Sequence, residues 1–227
     1  MEWTYDKVAD YHFEAWIGSY GNYNAGILKG DWLKFPVKEE TLDSFLSDVV
    51  GINEFNEEVM INDYDGNLFD LDEDEDPYMI NTAAMIWESL EDYDKFKVVA
   101  CYENNGFMTL EEICNAMLQV DRIGFFSYDL YGFDEDYMKI MSNEEKMGYS
   151  WANITGLYKQ LEDLGAMVLS HFDFEGYGED IAQDCILYDE GYYDASYGDP
   201  DLDFYDRKEI KEYAEEMFQK NKDREKE

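Results

Sequence analysis

Residues 11–33 read YHFEAWIGSYGNYNAGILKGDWL, and this stretch decides the fold class predicted for the start of the chain. The aromatic-rich run 11–18 is typical of a strand. The glycines and asparagines of 18–26 predict a turn, and the apolar residues of 27–33 can return as a second strand. A strand, turn and strand followed by helical patterns predict an α+β protein.

The rest of the N-terminal segment continues this mixed pattern. A helix is predicted from Glu40 or Thr41, because apolar residues recur on one helical face. These residues are Leu42, Phe45, Leu46, Val49 and Val50. Residues 58–64 predict a third strand. The acidic stretch 70–77 predicts a loop, so we place the end of a first mixed domain, 1–78, there.

A small helical domain is predicted over 79–119. Its first helix carries Ala83, Ala84, Ile86, Trp87 and Leu90. A second helix over 96–102 is ended by the asparagines and glycine of 104–106. Thr109 is typical of an N-cap, and the acids after it suit the first turn of a third helix.

Residues 120–193 return to mixed structure as a third domain, followed by a tail, 194–227. The predicted strands are 122–128, 186–188 and 191–193. The predicted helices are 135–147, 154–164 with Gly165 as its end, and 177–185. In the tail, 194–205 predicts an acidic, tyrosine-rich loop and 206–223 a helix of alternating charge. The predicted architecture is therefore three small domains plus a helical tail.

The charge is distributed unevenly along this chain. Its 227 residues include 55 Asp and Glu but 17 Lys and Arg, a net charge of −38. Residues 39–206 hold 43 acids and 6 bases, whereas 207–227 hold 7 of each. Repulsion at this density destabilises a compact state. Because 45% of the residues are hydrophobic and 17% aromatic, the composition nevertheless predicts a folded chain.

The charge and the lack of special segments limit partners and location. Direct nucleic-acid binding is excluded because phosphates would be repelled, so the expected partner is strongly basic. The N-terminus resembles no secretory leader, and no run approaches 18 apolar residues, so we predict a cytoplasmic protein without a membrane span. Cys101, Cys114 and Cys185 are expected to be reduced, buried thiols.

No catalytic, cofactor or metal site is predicted. With 55 acids, a glycosidase-like carboxylate pair carries no information. The D-x-D-G of 63–66 matches part of an EF-hand loop, but Ile61 and Asp72 stand where Asp and Glu are required. His12 and His171 are too far apart in sequence for the usual zinc spacing. A cysteine–histidine nucleophile has no sequence feature in its favour.

The spacing of the acids is the remaining signal. Acids on one helix face lie about 5–6 Å apart, and acids two residues apart in a strand about 6.6 Å apart. Both distances are close to the repeat of phosphates along a nucleic-acid strand, although a soluble or halophilic surface is an alternative. The acids predicted to contact a partner are Asp70, Asp72, Glu73, Asp74, Glu75, Asp76, Glu88, Glu91, Asp92, Asp94, Glu111, Glu112, Asp134, Glu135, Asp136, Glu144, Glu145, Glu162, Asp163, Glu179 and Asp180.

Two segments resemble the ArdA antirestriction proteins. IGSYGNYNAG at 17–26, followed by GDWL at 30–33, is similar to that family's G-T-Y-x-x-Y-N-x-G and G-x-W-L stretches. HFDFEGYGED at 171–180 resembles its Y-F-D-Y-E-x-Y-x-R-D motif, and INDYDG at 61–66 its acidic turn. Coverage follows the family's order over 12–193. His171 and Glu179 replace the motif's Tyr and Arg, and the tail has no counterpart.

The resemblance implies an elongated α+β protein of three small domains, usually dimeric, that imitates bent duplex DNA. Such proteins occupy the DNA-binding groove of type I restriction-modification enzymes and are not enzymes. We therefore expect a homodimeric inhibitor that needs no cofactor and acts in the cytoplasm of a bacterial host.

Three alternatives stay open. The chain could imitate DNA toward another defence nuclease, such as a CRISPR effector, or it could be an acidic chaperone or storage protein for basic proteins. An enzyme would require strongly perturbed carboxylates in a concave site.

Overall fold

The computed structural model describes residues 8–65, 68–106, 109–194 and 201–224, without the side chains of Asn105 and Glu135. The expectations for the first residues of the chain and for Gly66 therefore concern positions outside the described set. The chain forms two compact units, unit 1 (Met1–Arg122 with Asp201–Glu227) and unit 2 (Ile123–Pro200).

The secondary structure confirms the α+β class. Unit 1 begins with β1 (Glu14–Ser19), α1 (Tyr20–Asn24), β2 (Asp31–Lys34), α2 (Glu39–Ser44), a π-helical segment (Phe45–Val50), β3 (Val59–Asp65), α3 (Pro77–Ser89), α4 (Asp92–Asn105), α5 (Leu110–Leu118) and a 3₁₀ turn (Val120–Arg122). Unit 2 contains β4 (Phe125–Ser127), α6 (Glu135–Met138), α7 (Asn143–Ile154), α8 (Leu157–Leu164), α9 (Ala166–Leu169), α10 (Phe174–Ile181), a 3₁₀ turn (Ala182–Asp184), β5 (Cys185–Leu187) and β6 (Gly191–Asp194). The tail forms α11 (Arg207–Arg224) in unit 1. Among the described helices, none is long and apolar enough to cross a membrane.

The three-domain arrangement is not confirmed. The helical segment 79–119 lies in unit 1, together with the N-terminal sheet and the tail. Unit 1 is therefore built from two stretches of sequence that are separated by the whole of unit 2.

The sheet of unit 1 has one apolar face. Its strand order is β2-β1-β3, and both pairings are antiparallel. Phe13, Ala15 and Ile17 are buried, whereas Glu14 and Trp16 between them are partly exposed. This period-two alternation places the odd-numbered positions toward the core.

An aromatic cluster and helices α3, α4 and α5 complete that core. Trp87 of α3 packs edge-on against Phe69 and Tyr11, with ring centroids 5.4 Å and 5.6 Å apart. The indole Nε1–H of Trp87 donates to the Tyr11 carbonyl oxygen at 3.1 Å, so its polar group is satisfied. Cys101 and Cys114 are buried cysteines in these helices that form no disulfide, whereas Cys185 of unit 2 is only half-buried.

Two buried amides on α5 hold the chain that leads into the tail. The side chain of Asn115 donates to the carbonyl oxygen of Tyr205 (3.2 Å) and accepts from its N–H (2.8 Å). Gln119, one turn later, makes the same two bonds with Asp203, both at 2.8 Å. Each side-chain amide thus makes one donor and one acceptor hydrogen bond with the backbone of 203–205, as a neighbouring β-strand would.

Helix α11 then packs on α3 and α5. Ile210 and Ala214 are fully buried in this contact. Lys211 pairs with Glu39 at 2.9 Å, and the Asn221 side chain donates to the Glu88 carbonyl oxygen at 3.1 Å. The predicted tail helix is confirmed, and it is an integral part of unit 1.

Unit 2 pairs a small antiparallel sheet, in the order β4-β6-β5, with a helical cluster. The central helices α7 and α10 approach closely through glycines. A Cβ atom at Gly148 would overlap the Phe174 carbonyl oxygen, and one at Gly178 would overlap the Glu144 carbonyl oxygen. The ring of Tyr149 stacks on that of Phe174 at 3.8 Å between centroids beside this crossing.

Capping residues account for two corrections in unit 2. The predicted helix 135–147 is wrong, because Ser142 accepts the N–H of Glu145 at 3.1 Å and starts α7 separately from α6. The predicted helix 177–185 begins earlier and ends earlier. Asp173 accepts the N–H of Gly176 at 2.9 Å and caps α10.

The N-terminal turn also differs from the prediction. Residues 18–26 contain the short helix α1, because the hydroxyl of Ser19 accepts the N–H of Asn22 at 3.3 Å. The second strand is shorter than 27–33, since only Asp31–Lys34 pairs with β1. The predicted helix after residue 40 continues as a π-helical segment in which Leu46 and Val50 are buried.

We predict that Gly178→Ala destabilises the protein by about 2–3 kcal/mol, because the added methyl group meets backbone that cannot rotate away. The free energy of unfolding in urea measures this cost. Gln183→Ala, at an exposed position after α10, is the control and should change it by less than about 0.5 kcal/mol. An unchanged unfolding midpoint for Gly178→Ala would contradict the close crossing of α7 and α10.

Candidate functional site

The predicted acids lie on several parts of the surface, and the loop 70–76 of unit 1 holds them most densely. Asp72, Glu73 and Asp74 are exposed, and none forms an ion pair with a described residue. The loop backbone is anchored to the sheet, because the N–H of Ile61 on β3 donates to the Glu73 carbonyl oxygen at 2.8 Å. The loop therefore presents three exposed carboxylates on a backbone that is hydrogen-bonded to the sheet.

Asp70 begins this loop and is held by two phenols. The Tyr64 hydroxyl donates to one carboxylate oxygen at 3.1 Å, and the Tyr102 hydroxyl contacts the other at 3.4 Å. Burial, followed by the hydrogen bond to Asp70, raises the pKa of Tyr64. The position of Asp70 is therefore fixed by neutral donors, which leave its negative charge in place.

The end of the loop meets the tail. Asp76 caps α3 by accepting the N–H of Tyr78 at 3.0 Å, and it lies 3.6 Å from the Arg207 guanidinium. Arg207 also pairs closely with Glu111 of α5. Burial raises the pKa of Glu75, a trend reinforced by Glu111 and opposed by the Asp76 N–H and by Arg207. A basic side chain of the protein itself already binds this part of the predicted surface.

The acids at the start of α4 and α5 have local structural roles. Asp92 and Asp94 lie in the first turn of α4, where they pair with Lys95 at 3.4 Å and with Lys97 at 3.0 Å. Glu91 occupies the N-cap position of α4, and Glu112 forms the capping box with Thr109 at the start of α5. Acids at these positions stabilise the helix N-termini, so stability alone can account for them.

Glu88, Glu179 and Asp180 are placed differently. Glu88 is exposed at the end of α3, and the other two are exposed at the end of α10. A negative charge at a helix C-terminus is unfavourable, whereas a Lys or Arg there is stabilising. Among the described residues, no helix from α1 to α10 has a basic residue in its last turn. The surface thus carries negative charge at sites where folding favours positive charge.

The acids of α6 and α7 in unit 2 are partly exposed or exposed. Asp134 caps α6 by accepting the N–H groups of Asp136 (3.1 Å) and Tyr137 (3.3 Å), and Asp136 pairs with Lys139 at 3.4 Å. Glu135 begins α6, but its side chain lies outside the described set. In the first turn of α7, Glu145 accepts the hydroxyl of Tyr137 at 3.3 Å, and Glu144 lies beside it.

The acids of α8 share one cation. Lys159 is 2.8 Å from Glu162 and 3.1 Å from Asp163. These two hydrogen bonds raise the pKa of Lys159. One positive charge beside two carboxylates leaves this group with a net negative charge.

The structure brings some predicted acids together and leaves others apart. Residues 70–76 form one continuous group, and Arg207 joins Asp76 to Glu111 within unit 1. No predicted acid with a described side chain is buried. Glu57 and Glu58, which are not among the predicted acids, are exposed beside Phe55, itself 90% exposed. Their position within the acid-rich stretch 39–206 was the available signal.

Comparison with known protein families identifies the chain. Residues 15–194 match the model of the antirestriction protein ArdA. The chain belongs to the ArdA family. A search of curated protein sequences finds no match. The resemblance of the two motif segments is therefore confirmed, and the tail that packs on α3 and α5 lies beyond the part of the chain that matches ArdA.

The ArdA-like motifs of this chain have structural roles. In the N-terminal motif, Ser19 caps α1 and also accepts a hydrogen bond from the Asn56 side chain at 2.9 Å. In the C-terminal motif, Asp173 caps α10 and Gly178 permits the contact with α7. The motif residues thus fix the positions of α1 and α10, and exposed acids such as Glu179 lie on these elements.

The ArdA family is a family of antirestriction proteins. Unit 2 contains a cavity of about 470 Å³ lined by Tyr128, Met138 and Lys146. The Lys146 ammonium donates to the carbonyl oxygen of Asp189 at 3.1 Å and lies 3.4 Å from its carboxylate. These contacts tie α7 to the loop between β5 and β6, which is a structural role.

We predict that Glu75→Gln stabilises the protein at pH 7. Burial raises the pKa of Glu75 in the folded state. The free energy of unfolding therefore falls as the pH rises from the ordinary glutamate pKa, about 4.3, through the raised pKa of the folded state. The amide carries no charge and avoids this cost. Unfolding in urea should therefore show a gain at pH 7 that disappears below pH 4. A gain of the same size at both pH values would point to packing rather than charge.

Proposed function

We propose that this ArdA-family protein inhibits a type I restriction-modification enzyme by occupying its DNA-binding groove. Surface carboxylates would take the positions of duplex phosphates against the lysines and arginines of the groove. Family membership supports the antirestriction role. The observation that carries the mechanism is the set of exposed carboxylates that form no ion pair with any described residue, including those at helix C-termini, where they oppose folding.

A DNA-binding groove suits this kind of inhibitor physically. Its basic side chains are arranged mainly to contact the phosphate backbone, which fixes position without reading sequence. An inhibitor therefore needs to match backbone charges and not base edges. With a net charge of −38, association is expected to be accelerated by long-range attraction and to weaken steeply as salt is added.

The contacts divide the predicted acids into two classes. One class forms no ion pair with a described residue: Asp70, Asp72, Glu73, Asp74, Glu75, Glu88, Glu91, Asp134, Glu144, Glu145, Glu179 and Asp180. Glu112 and Glu135 are assigned to neither class. The other class is paired within the chain: Asp76, Asp92, Asp94, Glu111, Asp136, Glu162 and Asp163. At each acid of the second class, a basic side chain of the partner must displace or share the lysine or arginine that is already paired there. We therefore propose that the acids of the first class contribute more to binding.

We further propose that the inhibitor is a homodimer in the cytoplasm of a bacterial host. Unit 2 exposes Leu164 (70%), Met167 (79%) and Ile154 (56%) on an otherwise acidic surface. Exposed apolar residues of this kind are typical of protein contacts when they form a patch. Light scattering at micromolar concentration measures the oligomeric state directly.

Competition for a purified type I restriction-modification complex tests the mechanism. A labelled duplex carrying the recognition site is bound first, and the full-length protein is then added at several salt concentrations. We expect displacement of the duplex and an apparent affinity that falls as salt rises. Simultaneous binding of duplex and inhibitor would contradict occupation of the groove, even if cleavage stopped.

The same assay on other targets separates the alternatives. Displacement of duplex from a guide-RNA nuclease but not from the type I complex would favour a different defence target. Equal binding to unrelated basic proteins, such as histones, would favour an acidic chaperone.

We predict that neutralising the loop acids together weakens inhibition roughly tenfold, because each exposed pair is worth about 0.2–1 kcal/mol. The variant is Asp72→Asn, Glu73→Gln, Asp74→Asn. The matched control is Glu212→Gln, Glu215→Gln, Glu216→Gln on α11, which changes the net charge equally. Single substitutions in the loop should each cost about twofold to threefold. Equal losses in the loop variant and the α11 control would show that only total charge matters.

A further inference from the structure

One face of the unit 1 sheet carries a histidine and two carboxylates that come from distant parts of the sequence. Glu14 on β1 and Asp65 on β3 are directly opposite in the antiparallel register, so their side chains share a face. His12 precedes Glu14 by two residues and lies on the same side, while Phe13 between them is buried. One potential ligand atom from each of the three residues lies within 4.8 Å of the other two.

The spacing of the first two groups suits a shared metal ion. His12 Nε2 and Glu14 Oε2 are 3.4 Å apart. Two ligands about 2.1 Å from a tetrahedral zinc ion are separated by about 3.4 Å. The carboxylate of Asp65 lies within reach of a third position.

The other ring nitrogen of His12 points to the same role. His12 Nδ1 is 3.4 Å from the carbonyl oxygen of Asp10. Metal-binding histidines commonly direct their second nitrogen to a backbone carbonyl, which fixes the tautomer. A ring with its proton on Nδ1 presents the Nε2 lone pair to the Glu14 carboxylate, where a shared cation would bind both groups, whereas a ring with a proton on Nε2 donates to that carboxylate directly.

The surroundings give this site a negative potential. His12 and Glu14 are half-buried, which limits their motion, whereas Asp65 is exposed. Lys34, opposite Glu14 on β2, brings one positive charge to the same face but forms no ion pair with a described residue. The site thus contains two carboxylates, on a chain whose total charge is −38.

We propose that His12, Glu14 and Asp65 form a binding site for a borderline divalent cation such as Zn²⁺, with water completing the coordination. A nitrogen ligand with carboxylates favours zinc, cobalt or nickel over magnesium and calcium. The bound ion would join β1 to β3. This site differs from the sequence expectation of no metal, which considered only ligands close together in sequence, and it does not depend on the proposed inhibition of restriction enzymes.

Zinc titration of the full-length, chelator-treated protein tests the site. The chain contains two histidines. The second, His171, follows α9 in unit 2 and serves as an internal control. Imidazole NMR signals are followed while Zn²⁺ is added in the presence of millimolar Mg²⁺, which suppresses loose binding to the acidic surface. We expect the His12 signals to shift and saturate at one zinc per chain, while those of His171 stay unchanged.

Variants locate the ligands. His12→Gln, Glu14→Gln and Asp65→Asn should each weaken zinc binding, measured by calorimetry, at least about tenfold, whereas His171→Gln should not change it. Circular dichroism checks that each variant is folded. Equal shifts of both histidines in the wild-type protein, or unchanged affinity in folded His12→Gln, would overturn the proposal. The wild-type NMR result decides the question even if a variant fails to fold.

Discussion

Repulsion between carboxylates is the constraint on which the rest of this structure depends. The fold opposes it with an aromatic core around Trp87, with capped helix N-termini and with a tail that brings Arg207 and Lys211 to acids of unit 1. In the part of the chain that the structure describes, no helix from α1 to α10 has a basic residue in its last turn, where it would stabilise the fold. Stability is thus supplied by packing and by a few local ion pairs, and much of the surface charge is left uncompensated.

Capping residues and glycines in the sequence correctly predicted where several helices begin or end. Thr109 caps α5, Gly106 ends α4 with a positive φ, and Gly165 follows α8. The strand β1 and the tail helix are also where the alternation and charge patterns place them. The predicted helix 135–147 was wrong because apolar spacing alone does not reveal that the Ser142 hydroxyl starts a new helix.

Contacts between distant residues could not be predicted in this way. The exposure of the acids followed from their type, but their pairing did not, since Arg207 meets Asp76 and Glu111 only after the tail has folded back. The same holds for His12 and Asp65, which the register of β1 and β3 brings together. The hydrogen bonds from Asn115 and Gln119 on α5 to the backbone at 203–205 are of the same kind, because they join distant parts of the sequence.

The return of the tail to unit 1 has a consequence for synthesis. Domains generally fold as units while the chain emerges from the ribosome. Unit 2 is complete in sequence before the last helix of unit 1 has been made. Until residues 201–224 have emerged, the buried amides of α5 and the apolar side of α3 lack the segment that covers them. We expect unit 1 to complete its fold only after 201–224 has emerged, so a nascent chain stalled before residue 201 should expose this surface to chaperones.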